Sequence, residues 1–341
     1  MFVPDDYQLL DFGDGRRLER FGEITLDRPC PAAEAIQRAD AELWTQADAH
    51  FDGREEQRGE WCDRRELPER WIVAHGSLRF ELKRTEFGHL GLFPEQAENW
   101  DWIAEQCRLS ASQAAMESQT KAIAGSQRLP ECSEIRERAP GVVSSRLFPR
   151  DTSPSPAEHP LKVLNLFAYT GGSTLAAAAA GAEVVHVDAA KNIVAWARRN
   201  AEFSGLAESP IHWIVEDALK FAKREARRGS RYDAVILDPP SYGHGPHGEQ
   251  WQLSKHLPRL LDLCAELTAG RPRFMLLTCH TPGYDAESLG EMMLDALGGK
   301  GSVSGGPLTI RSTAGRALPS GVVVRWKPHC ETASRPPIPN P

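Results

Sequence analysis

The chain has 341 residues, of which 41% are hydrophobic and 26% charged, and a net charge of −7. This is enough apolar material for one large domain with an appendage, or for two domains. No run approaches the roughly 18 consecutive apolar residues of a membrane span. The start, Met1-Phe2-Val3-Pro4-Asp5-Asp6, is acidic rather than signal-like, and the seven cysteines are scattered without a CxxC pair. A cytoplasmic protein with no membrane partner, no disulfide framework and no metal centre is therefore expected.

Charge is uneven along the chain. Residues 1–107 hold 13 Lys and Arg against 24 Asp and Glu, whereas residues 159–327 hold 19 against 16. A polyanion, if one binds, belongs to the C-terminal half.

Residues 1–65 are polar and broken, with short strand candidates such as Ile24-Thr25-Leu26 and a helix candidate from Glu34 to Ala49. The run from Trp71 to Lys83 alternates around His75-Gly76-Ser77 and reads as a hairpin. Gly88 to Phe93 then leads to Pro94, a good first helical residue, and a helix from Asn99 to about Cys107. Residues 1–107 thus form a small N-terminal α+β region. Residues 108–158 are rich in Ser, Ala, Pro and charge; they read as a mobile insertion or linker, with helical potential over Ser112–Ala124.

From residue 159 strands and helices alternate. Strands are predicted at Lys162–Phe167, Glu183–Val187, Ile211–Val215, Tyr232–Leu237 and Phe274–Thr278. Helices follow them at Ser173–Ala180, Asn192–Ser204, Ala218–Arg228, Trp251–Ala269 and Ala286–Leu297, and two late strands lie near Leu308–Arg311 and Val322–Trp326. This is the pattern of a Rossmann-like, doubly wound α/β domain spanning 159–327, with a mostly parallel seven-stranded sheet. Residues 328–341 read as a disordered tail.

Such a sheet binds ligands at the carboxyl ends of its strands. The first strand runs into Phe167-Ala168-Tyr169-Thr170-Gly171-Gly172 and a helix, the opening of a βαβ nucleotide-binding unit. Asp188 ends the second strand at a distance suited to gripping ribose hydroxyls, or to capping the next helix. Asp217, before Ala218, ends the third strand with the same two roles open, adenine amine or helix cap. The fourth strand ends in Asp238-Pro239-Pro240-Ser241-Tyr242. Two prolines fix an extended turn that carries Asp238 and Tyr242 to the rim, which reads as an active-site loop. The fifth ends in Thr278-Cys279-His280, where the thiol is either a nucleophile, its pKa depressed by His280, or a half-buried cysteine. Gly243 to Gly248 reads as a flexible loop whose His244 and His247 are loop polar groups. The run Lys220, Lys223, Arg224, Arg227, Arg228, Arg231 reads as a solvated helix face or a phosphate patch.

These stretches together resemble class I S-adenosylmethionine-dependent methyltransferases, and within them the bacterial 23S ribosomal RNA cytosine-C5 methyltransferase family. Gly91-Leu92-Phe93-Pro94-Glu95-Gln96 is similar to the segment preceding that family's catalytic domain. The resemblance implies S-adenosylmethionine as cofactor, contacted by Phe167, Ala168, Tyr169, Thr170, Gly171, Gly172, Asp188, Ala189, Asp217, Ala218, Asp238 and Pro239. Tyr169 to Gly172 would line its methionine end, Asp188 its ribose, Asp217 and Ala218 its adenine, and Asp238 would face the methyl group. It implies catalytic roles for Asp238, Cys279 and Tyr242 and an RNA substrate, with a cytoplasmic role in ribosomal RNA processing. Ser241 stands where those enzymes commonly carry a lysine, and Ala97 where an arginine is expected. Methylation at C5 of cytosine requires a thiol adduct at C6, for which Cys279 is the placed cysteine. Methylation of an exocyclic amine requires only an acceptor and a stacking aromatic, which Asp238 and Tyr242 supply. A small-molecule or protein substrate under an N-terminal lid is the alternative, and a non-catalytic cofactor binder a third reading.

Overall fold

The computed structural model describes residues 2–53, 58–126, 160–245 and 248–329. Short alternating segments near the N-terminus build a five-stranded sheet in chain order: β1 (Tyr7–Gly13), β2 (Arg16–Phe21), β3 (Ile24–Pro29), β4 (Ala49–Asp52) and β5 (Glu60–Asp63). The segment from Glu34 to Ala49 does not form the expected helix; a single helical turn lies at Leu43–Gln46, just before β4. The carboxylate of Asp11, 1% exposed, accepts the backbone N–H groups of Ala39 and Asp40 and the indole N–H of Trp44. An α-helix would need those backbone donors for its own ladder, so a tertiary bond overrides a modest propensity.

The predicted hairpin is present as β6 (Arg70–His75) and β7 (Leu78–Lys83). After a turn opened by Pro94, helix α1 runs from Ala97 to Ser126, beyond the expected end near Cys107 and through the first part of the expected insertion. The rest of that insertion, and the tail after His329, lie outside the described residues.

The C-terminal half forms the expected seven-stranded sheet. In chain order its strands are β8 (Lys162–Leu166), β9 (Glu183–Asp188), β10 (Ile211–Val215), β11 (Ala234–Leu237), β14 (Phe274–Cys279), β15 (Ser302–Arg311) and β16 (Ala317–Lys327). In space they lie β10-β9-β8-β11-β14-β16-β15. The first five are parallel, and β16 and β15 close the edge antiparallel. Every residue of β11 and β14 is buried, which is why they read as continuous apolar runs. Helices α2 (Gly172–Ala179), α3 (Lys191–Phe203), α4 (Ala218–Arg227), α5 (Leu253–Thr268) and α6 (Ala286–Ala296) fill the connections.

One core joins Val163 and Leu175 to Trp100 of α1, Phe80 of β7 and Leu9 of β1, so the N-terminal sheet is packed on the C-terminal half. The other core packs Leu257, Leu260 and Leu289 of α5 and α6 under the opposite sheet face. Between β11 and α5, β12 (Tyr242–His244) pairs with β13 (Gln250–Gln252) as a ribbon; of the expected flexible loop, Gly243 and His244 lie in β12, and Pro246 and His247 lie outside the described residues. Trp251, expected to begin the helix, lies in this ribbon, and its indole donates to the Pro240 carbonyl at 2.7 Å. The strand order reverses between β8 and β11, and that switch point places the ligand crevice at their carboxyl ends.

Candidate active site

The β8–α2 loop is held in an unusual shape. Phe167 and Tyr169 have φ of 58° and 48°, and Gly171 has φ of 95°. A left-handed conformation costs a non-glycine residue about 1–2 kcal/mol, so two in three residues require compensation. It comes from bonds between Ala168 N–H and the Val187 carbonyl (3.0 Å), Tyr169 N–H and Asp188 Oδ2 (2.9 Å), and Thr170 Oγ1 and the Gly91 carbonyl (2.7 Å). A Cβ on Gly172 would lie 2.5 Å from the Trp100 ring, so α1 and α2 pack at a distance only glycine permits.

Asp188 is not the cap of α3, whose N-cap is Ala190 with no side-chain bond. Its two oxygens take the N–H groups of Tyr169 and Ala190, both at 2.9 Å, and tie the first two βα loops together. Burial pushes this carboxyl upward, against the pull of those backbone donors. With the Ala189 N–H also directed at this carboxylate, acceptor capacity still remains on it. Asp217 does serve as a cap, accepting the Lys220 N–H through Oδ1 at 2.8 Å.

Asp238 is the centre of the densest polar cluster at the rim. Its Oδ1 accepts from Thr278 Oγ1 at 2.5 Å and faces His280 Nε2 at 3.3 Å, and its Oδ2 accepts from Gln96 Nε2 at 3.2 Å. The other His280 nitrogen, Nδ1, donates to the Ser320 carbonyl at 2.7 Å. Burial disfavours both charges, yet the pairing prevails: Asp238 is held below its ordinary range and His280 is raised to about 9. Since His280 has a folded value above its unfolded 6.5, its contribution is complete below pH 6.5 and is lost as pH rises through about 9. Asp238 behaves oppositely, contributing above its unfolded 3.8 and losing that contribution as pH falls through its depressed folded value. Proton NMR of the His280 ring should give a midpoint near 9. An ordinary midpoint near 6.5 would show that the pair does not form in solution.

Cys279 is enclosed by the core. It is 1% exposed and lies in the core beneath α5 and α6, with burial pushing its thiol upward. Side chains alternate along a strand. Thr278 and His280 therefore face Asp238 while Cys279 turns away, and the imidazole expected to activate the thiol serves the carboxylate instead. Tyr242 stands on the ribbon, 70% exposed, its hydroxyl accepting from Gln252 Nε2. Ser241 bonds Thr281 through their hydroxyls at 2.7 Å.

The basic run divides. Lys220, Arg224 and Arg228 pair with Glu249, Glu216 and Glu225, while Lys220, Lys223, Arg227 and Arg259 line a groove of about 600 Å³ together with the acids Asp217, Glu249 and Glu266. Among the described residues no His, Cys, Asp and Glu cluster could hold a metal, and no helix is long and apolar enough to cross a membrane; His247 lies outside them.

The fold thus brings the loops of Phe167–Gly172, Asp188–Ala189, Asp217–Ala218 and Asp238–Pro239 to the carboxyl ends of four adjacent strands. Residues 151–285 match the family described as S-adenosylmethionine-dependent methyltransferase. The crystal structure of the SAM-dependent methyltransferase from Agrobacterium tumefaciens is 35% identical, with a TM-score of 0.76 over 95% of this chain and 91% of that one. The chain belongs to the S-adenosylmethionine-dependent methyltransferases. A methyltransferase structure from Streptococcus mutans shares the fold at 15% identity, with a TM-score of 0.64 over 95% of this chain and 75% of that one. Ribosomal RNA large subunit methyltransferase I of Aeromonas hydrophila is 40% identical over 82 residues, which are 24% of this chain and 21% of that protein. The match therefore spans about a fifth of that relative's length.

S-adenosylmethionine is the cofactor of this methyltransferase, and the donor set suits it: a buried carboxylate with open acceptor positions at the second strand, beside a glycine turn opening a helix. Gln96, Thr278 and Phe93 had been given no role from sequence. Phe93 packs against Tyr169 with ring centroids 5.2 Å apart. A polar Gln96 just after the apolar run Leu90 to Pro94 was the visible signal for that wall of the site.

Proposed function

We propose that the chain transfers a methyl group from S-adenosylmethionine to a base in RNA, presented between Tyr242 and Asp238. The observation that carries this reading is the rim itself. An aromatic ring, 70% exposed on a pinned ribbon, stands four residues from a carboxylate held by three donors. An exposed ring offers stacking to a splayed base, and Lys223 and Arg227 of the neighbouring groove, which also holds Asp217, Glu249 and Glu266, offer phosphate contacts. The printed name of the Aeromonas relative supports the same substrate class, and ribosomal RNA processing in the cytoplasm is the corresponding setting.

In this reading Asp188 binds the cofactor ribose, the Tyr169–Gly172 loop its methionine end, and Asp217 and Ala218 its adenine. When bound, the cofactor supplies a sulfonium-activated methyl group. Asp238 accepts a hydrogen bond from the attacking amine and orients its lone pair, and Tyr242 stacks the base. The buried Cys279 thiol speaks for transfer to nitrogen rather than for a thiol adduct at C6.

Incubating the protein with radiolabelled cofactor and separate RNA, protein and metabolite fractions should place label in RNA. Label confined to protein or metabolites would overturn the substrate assignment. Asp188→Ala removes a charged acceptor and should weaken cofactor binding by about 2–3 kcal/mol. Calorimetry showing unchanged affinity would remove Asp188 from the ribose site.

A further inference from the structure

Three residues far apart in sequence connect to Asp238 in series. Arg325 on β16 donates through Nη2 to Asn99 Oδ1 at 2.6 Å. Asn99 Nδ2 donates to Gln96 Oε1 at 2.8 Å, and Gln96 Nε2 donates to Asp238 Oδ2 at 3.2 Å, with Thr278 Oγ1 at 3.4 Å. Asn99 and Gln96 are buried. Arg325 stacks over Trp102, its guanidinium carbon 5.2 Å from the ring centroid.

A guanidinium can only donate. It therefore fixes the oxygen of Asn99 toward itself and the amide nitrogen toward Gln96. Gln96 must answer with its oxygen, which leaves its own N–H groups pointing at Asp238. An amide at either position turned the other way would oppose donor to donor, at the cost of an unsatisfied buried group. We infer that Arg325, Asn99 and Gln96 form a positioning relay, whose fixed hydrogen-bond polarity aims an N–H at Asp238 Oδ2 and keeps that carboxylate an acceptor turned toward the substrate. This rests on the reading that Asp238 faces the transferred methyl. Thr278 and His280 hold Oδ1, and Gln96 holds Oδ2.

The relay can be reversed without changing its shape. Asn99→Asp keeps the volume and a strong partner for Arg325, but offers Gln96 an acceptor in place of a donor. The Gln96 amide then turns its nitrogen to position 99 and its oxygen to Asp238. Carbon-13 NMR of the aspartate carboxyls in the full chain, with Asp238 assigned from Asp238→Asn, reads the outcome without any substrate. The Asp238 midpoint should rise by about one pH unit, a tenfold change in proton affinity, while S-adenosylhomocysteine affinity by calorimetry stays within about twofold. An unchanged midpoint would overturn the relay. If Asn99→Asp does not fold, Gln96→Leu decides in the same titration: a raised midpoint supports the relay, an unmoved one refutes it. Failure of the wild type to bind S-adenosylhomocysteine would instead refute the cofactor reading, since the titration is made on the protein alone.

Discussion

Glu19→Ala should destabilise the protein by about 3–5 kcal/mol, more than a typical core truncation of similar size. Glu19 is fully buried on β2, accepts three hydrogen bonds and faces a second arginine. Arg28 reaches it through Nε at 3.0 Å and through a closer Nη2 contact, Arg17 Nε lies 3.2 Å away, and the Tyr7 hydroxyl donates at 2.9 Å. Arg17 and Arg28 are themselves buried, so removal of the carboxylate leaves two guanidinium charges in the core with little to offset them. Burial opposes ionisation of Glu19, but the two arginines lower its pKa below 4.5, so its contribution is present above that value and is lost as pH falls through the folded value. The effect extends beyond the sheet. Arg28 Nη1 holds the Gly88 carbonyl at 3.1 Å, and this anchors the segment leading to Phe93 and Gln96 at the active site. Urea unfolding at pH 7 checks the number, and a loss below about 1 kcal/mol would mean that water reaches the arginines.

Asp238→Asn should lower turnover by about 10²-fold or more, the scale of a lost proton acceptor in a transfer step. The substitution preserves volume but removes the charge that Gln96, Thr278 and His280 converge upon. His280 should then fall back from about 9 toward 6.5, because the carboxylate is what raises it. Single-turnover transfer of label into RNA measures the first effect and histidine NMR the second. Retained turnover would leave the carboxylate a structural anchor only.

The catalytic half was legible because its strands are buried on both faces and its breaks are marked. Phe167 to Gly172 and Asp238-Pro239-Pro240 each interrupt an apolar run with residues that set the backbone. The N-terminal sheet was obscure, since its organising group is the single carboxylate of Asp11, whose bonds to Ala39 and Asp40 cross nearly thirty residues and replace the helix that local propensity favours. The wall of the site was obscure for a similar reason, as Gln96 meets Asp238 across a separation of 142 residues. The partner of His280 was readable from the strand pattern. Adjacency suggested that His280 serves the thiol, whereas the alternation of a strand already places Thr278 and His280 together on the opposite side.

We propose that the carboxylate at the end of β11, and not the thiol at the end of β14, serves methyl transfer to RNA. Transfer of label from radiolabelled S-adenosylmethionine into RNA by Cys279→Ala tests it most directly. The buried site predicts activity within about twofold of wild type and a stability cost of about 1 kcal/mol. Loss of transfer in that variant with cofactor affinity intact, together with covalent trapping of 5-fluorocytosine RNA by the wild type, would contradict it.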